Sequence, residues 1–86
     1  MNKELIVNEF LIRLYKHTKR KAVLYDGLNA NMTTDNAIIL IVEELGEVAS
    51  ELTRHRWSSA LDECIDVAHC ILLLYITILK TKELDK

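Results

Sequence analysis

Across 86 residues the chain has no proline and only two glycines, Gly27 and Gly46. So few breakers make long helices the first expectation. Half of the residues are hydrophobic and 28% are charged. That balance excludes a disordered tail and a low-complexity linker. The length allows one small domain, residues 1–86. A single copy would bury a thin core, and oligomerisation is the usual remedy.

Three helices follow from the spacing of apolar residues. The first is expected from about Asn2 to Tyr25, with Leu5, Phe10 and Leu14 as its stripe, Asn2 as N-cap and Gly27 as stop. Residues 26–34 (DGLNANMTT) read as a loop. The second helix starts at Thr34 or Asp35 and ends near His55, with Ile38, Ile41, Leu45, Val48 and Leu52 as a core stripe. The third is expected after Ser58 or Ser59, because Ser59 with Asp62 resembles a capping box, and runs to about Thr81. The short link around Arg56–Ser59 makes these two helices antiparallel neighbours. The expected fold is therefore all-α, a three-helix protomer that completes a multi-helix bundle by homo-oligomerisation.

The net charge of −2 does not suit a partner for polymeric nucleic acid. Its distribution is uneven. Residues 1–22 hold six of the 11 basic side chains, and residues 35–66 hold eight of the 13 acidic ones. Cys64 and Cys70 point in different directions on a helix, so they read as buried free thiols in a reducing cytoplasm. The most apolar run, Ile71–Leu79, is about half of what spans a bilayer. A helix covered inside an oligomer explains it without a membrane.

The chemistry concentrates in carboxylates. Glu43, Glu44 and Glu47 fall within an arc of roughly 100° bordering the apolar stripe of the second helix. Like charges so placed repel, and a divalent cation offsets that repulsion. The third helix supplies Glu63 and Asp66 within an otherwise apolar segment. In a hairpin turning near residue 57, Glu47 lies ten residues before Trp57 and Asp66 nine after it, so the two acidic patches lie at similar depth and enclose a site for a hard cation.

The pattern Glu43-Glu44-x-x-Glu47, then Glu63-x-x-Asp66, within IVEELGEVASEL and LDECIDVAHCILLL, resembles the signature of the MazG-like all-α nucleotide pyrophosphohydrolases over roughly residues 36–80. The resemblance implies a helical bundle built from two or more chains, a homodimer or homotetramer. It implies Mg²⁺-dependent hydrolysis of a nucleoside triphosphate to the monophosphate and pyrophosphate, with Mn²⁺ as a substitute cation. By position, Glu44, Glu47, Glu63 and Asp66 would be metal ligands, and Glu43 would assist catalysis. Two positions depart from the pattern. Ile39, Leu40 and Ile41 stand where many members carry a basic residue, and Cys70 where many carry an aromatic.

A triphosphate also needs cations, and Lys16, Lys19, Arg20, Arg54 and Lys80 are the candidates, with Trp57 able to stack on a base. There is no glycine-rich phosphate loop, so metal and side chains must hold the phosphates. Two alternatives stand beside this reading: a phosphoribosyl-ATP pyrophosphatase-like enzyme, and a non-catalytic helical oligomerisation module. Asp66-x-x-His69 is a single carboxylate–histidine pair, whereas di-iron bundles use two. His69 therefore reads as a core or site-rim residue, His17 and His55 as surface residues, and Tyr15, Tyr25 and Tyr75 as core or interface. Gly46 lets another helix approach closely or makes a plain packing contact.

Overall fold

A computed structural model describes residues 1–24 and 32–84. Three helices account for nearly all of them: α1 (Lys3–Leu24), α2 (Thr34–Thr53) and α3 (Trp57–Leu84). No strand occurs among the described residues. The expected ends at Tyr25 and Gly27, and most of the loop between α1 and α2, lie outside the described residues.

The helix starts follow capping chemistry. Asn2 caps α1, its Oδ1 accepting from the backbone N–H groups of Glu4 (3.0 Å) and Leu5 (3.2 Å). Thr33 caps α2, its Oγ1 accepting from Asn36 N at 3.1 Å. The end of α2 closes differently from expectation. His55 N–H bonds Leu52 O and Arg56 N–H bonds Glu51 O, the paired hydrogen bonds of a Schellman turn. That turn needs a left-handed residue, and His55 supplies it at φ 56° where glycine is usual.

The next helix can then begin at once. Ala60 N–H bonds Arg56 O at 2.9 Å, so α3 starts at Trp57. The Ser59–Asp62 capping box is therefore overturned, since Ser59 already lies in the first turn. The Trp57 ring packs edge-on against His55, centroids 5.3 Å apart, at the closed end of the hairpin. Helix α3 also runs past Thr81 to Leu84.

Helix α3 is the central element. It packs along α2 and more sparingly against α1, while the α1 and α2 backbones do not meet among the described residues. The core is thin, as the length requires: Ala37, Ala60, Ile65, Cys70 and Leu73 are buried, and no large side chain among the described residues is fully enclosed. On α2 the face toward the core carries Ala37, Leu40, Ile41, Glu44 and Val48. Ile38, Leu45 and Leu52, expected in the core stripe, are instead exposed, as are Leu5 and Phe10 of α1. Tyr15 and Tyr75 are exposed too. Cys64 is an exposed thiol and Cys70 a buried one, both free, which corrects the reading of two buried cysteines. Gly46 is exposed, and a Cβ built there meets nothing within 4 Å, so it mediates no close helix approach within the chain.

The molecule is more open than a compact chain of its size. Its radius of gyration is 14.4 Å, against about 12 Å for a globular domain of this length. Its accessible surface is 6746 Å², against about 5,200 Å² for a compact 9.9 kDa monomer. By length and composition alone, the stretch Trp57–Glu83 is apolar enough to cross a membrane, longer than the Ile71–Leu79 run suggests. Its exposed apolar residues include Ile71, Tyr75, Ile78 and Leu79.

Candidate metal centre

The position of the turn sets which carboxylates meet. With the hairpin centred on His55, Glu44 lies 11 residues before the turn (55 − 44) and Asp66 11 after it (66 − 55). Glu47 and Glu63 are each eight residues away (55 − 47 and 63 − 55). Antiparallel helices with equal rise put each pair at one level. The turn falls two residues earlier than residue 57, so Glu44 rather than Glu47 is level with Asp66.

Glu44, Glu63 and Asp66 converge. Each is half-buried and offers one oxygen, and the three oxygens lie within 4.8 Å of one another. Adjacent oxygens on an octahedral Mg²⁺, with bonds of about 2.1 Å, stand about 3 Å apart, so the three carboxylates would draw inward to hold a cation. The donor set is all oxygen, as hard cations prefer. Glu63 Oε2 is buried and finds no hydrogen-bond donor. Its neighbours are carboxylates, which can bond it only by sharing a proton. Such an oxygen suits a cation.

Electrostatics agree with the crowding. Burial, then Asp66 and Glu47, push the Glu63 carboxyl up to about 7. Burial, then Glu47 and Asp66, raise Glu44. Burial, then Glu44 and Asp66, push the Cys70 thiol up to about 11. Glu47 thus acts on both glutamates by its charge, although its own side chain is exposed and outside the convergent three. Glu43 is exposed on the next flank of α2 and also lies outside them.

Helix α1 brings positive charge to the same place. An open groove of about 790 Å³ runs between α1 and α3, within the ~300–1,000 Å³ of small-molecule sites. Arg13, Lys16, His17, Lys19 and Arg20 line it from α1, and Asp62, Ile65 and Asp66 from α3. Arg13 pairs with Asp62. Among the described residues no carboxylate stands within ion-pair distance of Lys16, Lys19 or Arg20. Lys19 does lie over the Tyr15 ring, 5.4 Å from its centroid.

Three of the expected substrate-binding residues, Lys16, Lys19 and Arg20, therefore share a groove whose wall includes Asp66. The other three do not reach it within one chain. Arg54 caps the end of α2 and Trp57 is exposed at the start of α3. Lys80 is 14 residues beyond Asp66 (80 − 66), about 21 Å along the helix. It lines a separate apolar groove with Ile76, Leu79 and Glu83.

Sequence reasoning missed Arg13 and misplaced His17. The signal was present, because Arg13, Lys16, His17 and Arg20 follow i, i+3, i+4, i+7 spacing on one face of α1. His17 is mostly buried, not a surface residue. Its Nε2 lies 3.1 Å from Asp66 Oδ1, and its side chain is 12% exposed. His69 is buried against it edge-on, with ring centroids 5.0 Å apart, and its Nδ1 lies 3.2 Å from Thr18 Oγ1. Burial lowers the pKa of both histidines, most strongly opposed at His17 by Asp66 and reinforced at His69 by His17. Comparison with known protein families, characterised proteins and solved structures finds no match.

Proposed function

We propose that the protein is a Mg²⁺-dependent nucleotide pyrophosphohydrolase of the MazG-like all-α kind, cleaving a nucleoside triphosphate to the monophosphate and pyrophosphate. One observation carries the reading. Three clustered carboxylates (Glu44, Glu63, Asp66), with the charge of Lys21 acting on Glu44, share Asp66 with a groove whose Lys16, Lys19 and Arg20 have no carboxylate within ion-pair distance among the described residues. In a ligand-free scaffold, opposite charges lining one groove gain most by pairing with each other. Kept apart, they suit a ligand that carries both signs, and a divalent cation complexed to a polyphosphate is such a ligand.

When bound, Mg²⁺ or Mn²⁺ supplies neutralisation of charge on the phosphate oxygens and a more acidic water. The chain's own residues do the rest. Glu44, Glu63 and Asp66 hold the cation, with Glu47 supporting them from the level of Glu63. Lys16, Lys19 and Arg20 bind and orient the triphosphate. Glu43, exposed beside Glu44, accepts a proton from the attacking water. Water oxygen bonds to the α-phosphorus, the bond to the bridging oxygen breaks, and pyrophosphate leaves with the electron pair.

The working form is a homodimer or a dimer of dimers. The exposed apolar side chains of all three helices are what a second copy would cover.

The test is hydrolysis of a panel of canonical and modified nucleoside triphosphates, phosphoribosyl-ATP among them, in Mg²⁺ or EDTA. Pyrophosphate rather than orthophosphate is the expected product. Glu44→Gln and Asp66→Asn are expected to abolish turnover, and full activity in both would refute the assignment. No turnover together with no Mg²⁺-induced thermal shift would leave a helical assembly module.

A further inference from the structure

We propose that His17 is a positioning residue, holding the Asp66 carboxylate toward the cation through a neutral Nε2–H donor; this rests on the metal-centre reading above. The Asp66 carboxylate shares its site with two others, Glu44 and Glu63. Repulsion among them favours rotamers that swing Asp66 outward, and on its open side it is 34% exposed. A donor is needed to hold it inward. His17 reaches across from α1, with Nε2 3.1 Å from Oδ1.

The other ring nitrogen decides which proton His17 carries. Nδ1 lies 3.4 Å from Arg20 Nη2. A guanidinium has only donors, so Nδ1 must accept. The hydrogen-bond partners therefore assign a neutral ring protonated at Nε2, which donates to Asp66. The ring plane is fixed by its edge contact with buried His69, itself held at Thr18.

A neutral donor suits this position for a reason of charge. A lysine or arginine there would neutralise Asp66 and oppose a divalent cation, whereas imidazole occupies one lone pair and leaves the full negative charge. The remaining lone pairs of the carboxylate stay available. Groups that orient a ligating carboxylate in this way typically control metal affinity by about 10–100-fold.

The test compares Mn²⁺ binding, by calorimetry or electron paramagnetic resonance, in the full-length wild type, His17→Gln and His17→Asn. The Gln amide nitrogen can stand where Nε2 stands, and the shorter Asn amide cannot. His17→Asn should weaken Mn²⁺ binding about 10–100-fold, with His17→Gln close to wild type. A merely structural histidine would not give rescue by Gln, and thermal melts check that both variants fold. Wild-type affinity in His17→Asn, or equal weakening in both variants, would overturn the positioning role while leaving the metal centre standing. A wild type that binds no Mn²⁺ would overturn both.

Discussion

Glu63→Gln in metal-free protein is the sharpest probe of the crowded carboxylates. The Glu63 pKa rises from an ordinary 4.5 to about 7, through burial first and then Asp66 and Glu47. A displacement of that size corresponds to about 3.4 kcal/mol between the two protonation states if nothing screens it. Glu63 is only half-buried, so solvent screening brings the net effect to about 1 kcal/mol. The direction follows from proton counting. Below about pH 4.5 the folded and unfolded chains both hold the proton. Between 4.5 and 7 the unfolded chain releases it while the folded chain keeps it, so wild-type stability falls as pH rises through that window.

Glutamine does not titrate. The advantage of Glu63→Gln should therefore be small at pH 4.5 and reach about 1 kcal/mol at pH 8, a Tm difference of about 4–8 °C for a chain of this length. The assay is a pair of thermal melts in EDTA at the two pH values and one protein concentration. Mg²⁺ should then reverse the order at pH 8, because the wild type gains binding free energy that the variant has largely lost. A variant less stable than wild type at pH 8 without metal, or an advantage equal at both pH values, would refute the reasoning and mark Glu63 as part of a satisfied structural network.

Two further outcomes follow from the fold. His55 holds φ 56° at the end of α2, a region that costs a side chain on the order of 1 kcal/mol. His55→Gly should raise the unfolding free energy by about 1 kcal/mol, less whatever its edge contact with Trp57 contributes, seen as a higher urea midpoint at an unchanged m-value; a lower midpoint would show that contact to dominate. Light scattering of the wild type should give a multiple of 9.9 kDa, and Val42→Glu, placed on an exposed apolar position of α2, should shift it toward monomer. A wild-type monomer at high micromolar concentration would refute the oligomer.

Much of the fold was legible because it rests on local rules. The near-absence of breakers implied long helices, and the cap at Asn2 and the start of α2 at Thr34 followed from side-chain chemistry. The start of α3 was not legible, because a histidine occupies the left-handed position where glycine would have announced the turn. The core face of α2 was misread for a different reason. The helix carries apolar residues on two adjoining faces, one with Ile41 and Val48 and one with Ile38, Leu45 and Leu52. Periodicity reports that a face is apolar, but not which neighbour covers it.

The same distinction explains what was legible at the site. The gathering of Glu44, Glu63 and Asp66 depends on one short connection, and counting outward from the turn recovers it. A two-residue error in the turn still exchanged the partners: Glu44 faces Asp66, while Glu47, three residues on and thus about 60° short of a full turn, lies exposed at the level of Glu63. The basic half of the site depends instead on how α1 docks against α3, a tertiary contact that no local spacing fixes. Once docked, the i, i+3, i+4, i+7 face of α1 meets Asp62 and Asp66 one turn apart, so Arg13 and His17 engage carboxylates and Lys16 and Arg20 are left toward the groove. The two acidic residues on α3 are partnered differently. Asp62 meets Arg13 in an exposed pair worth little, whereas Asp66 meets His17, and under the proposal above that neutral partner leaves its charge for a cation.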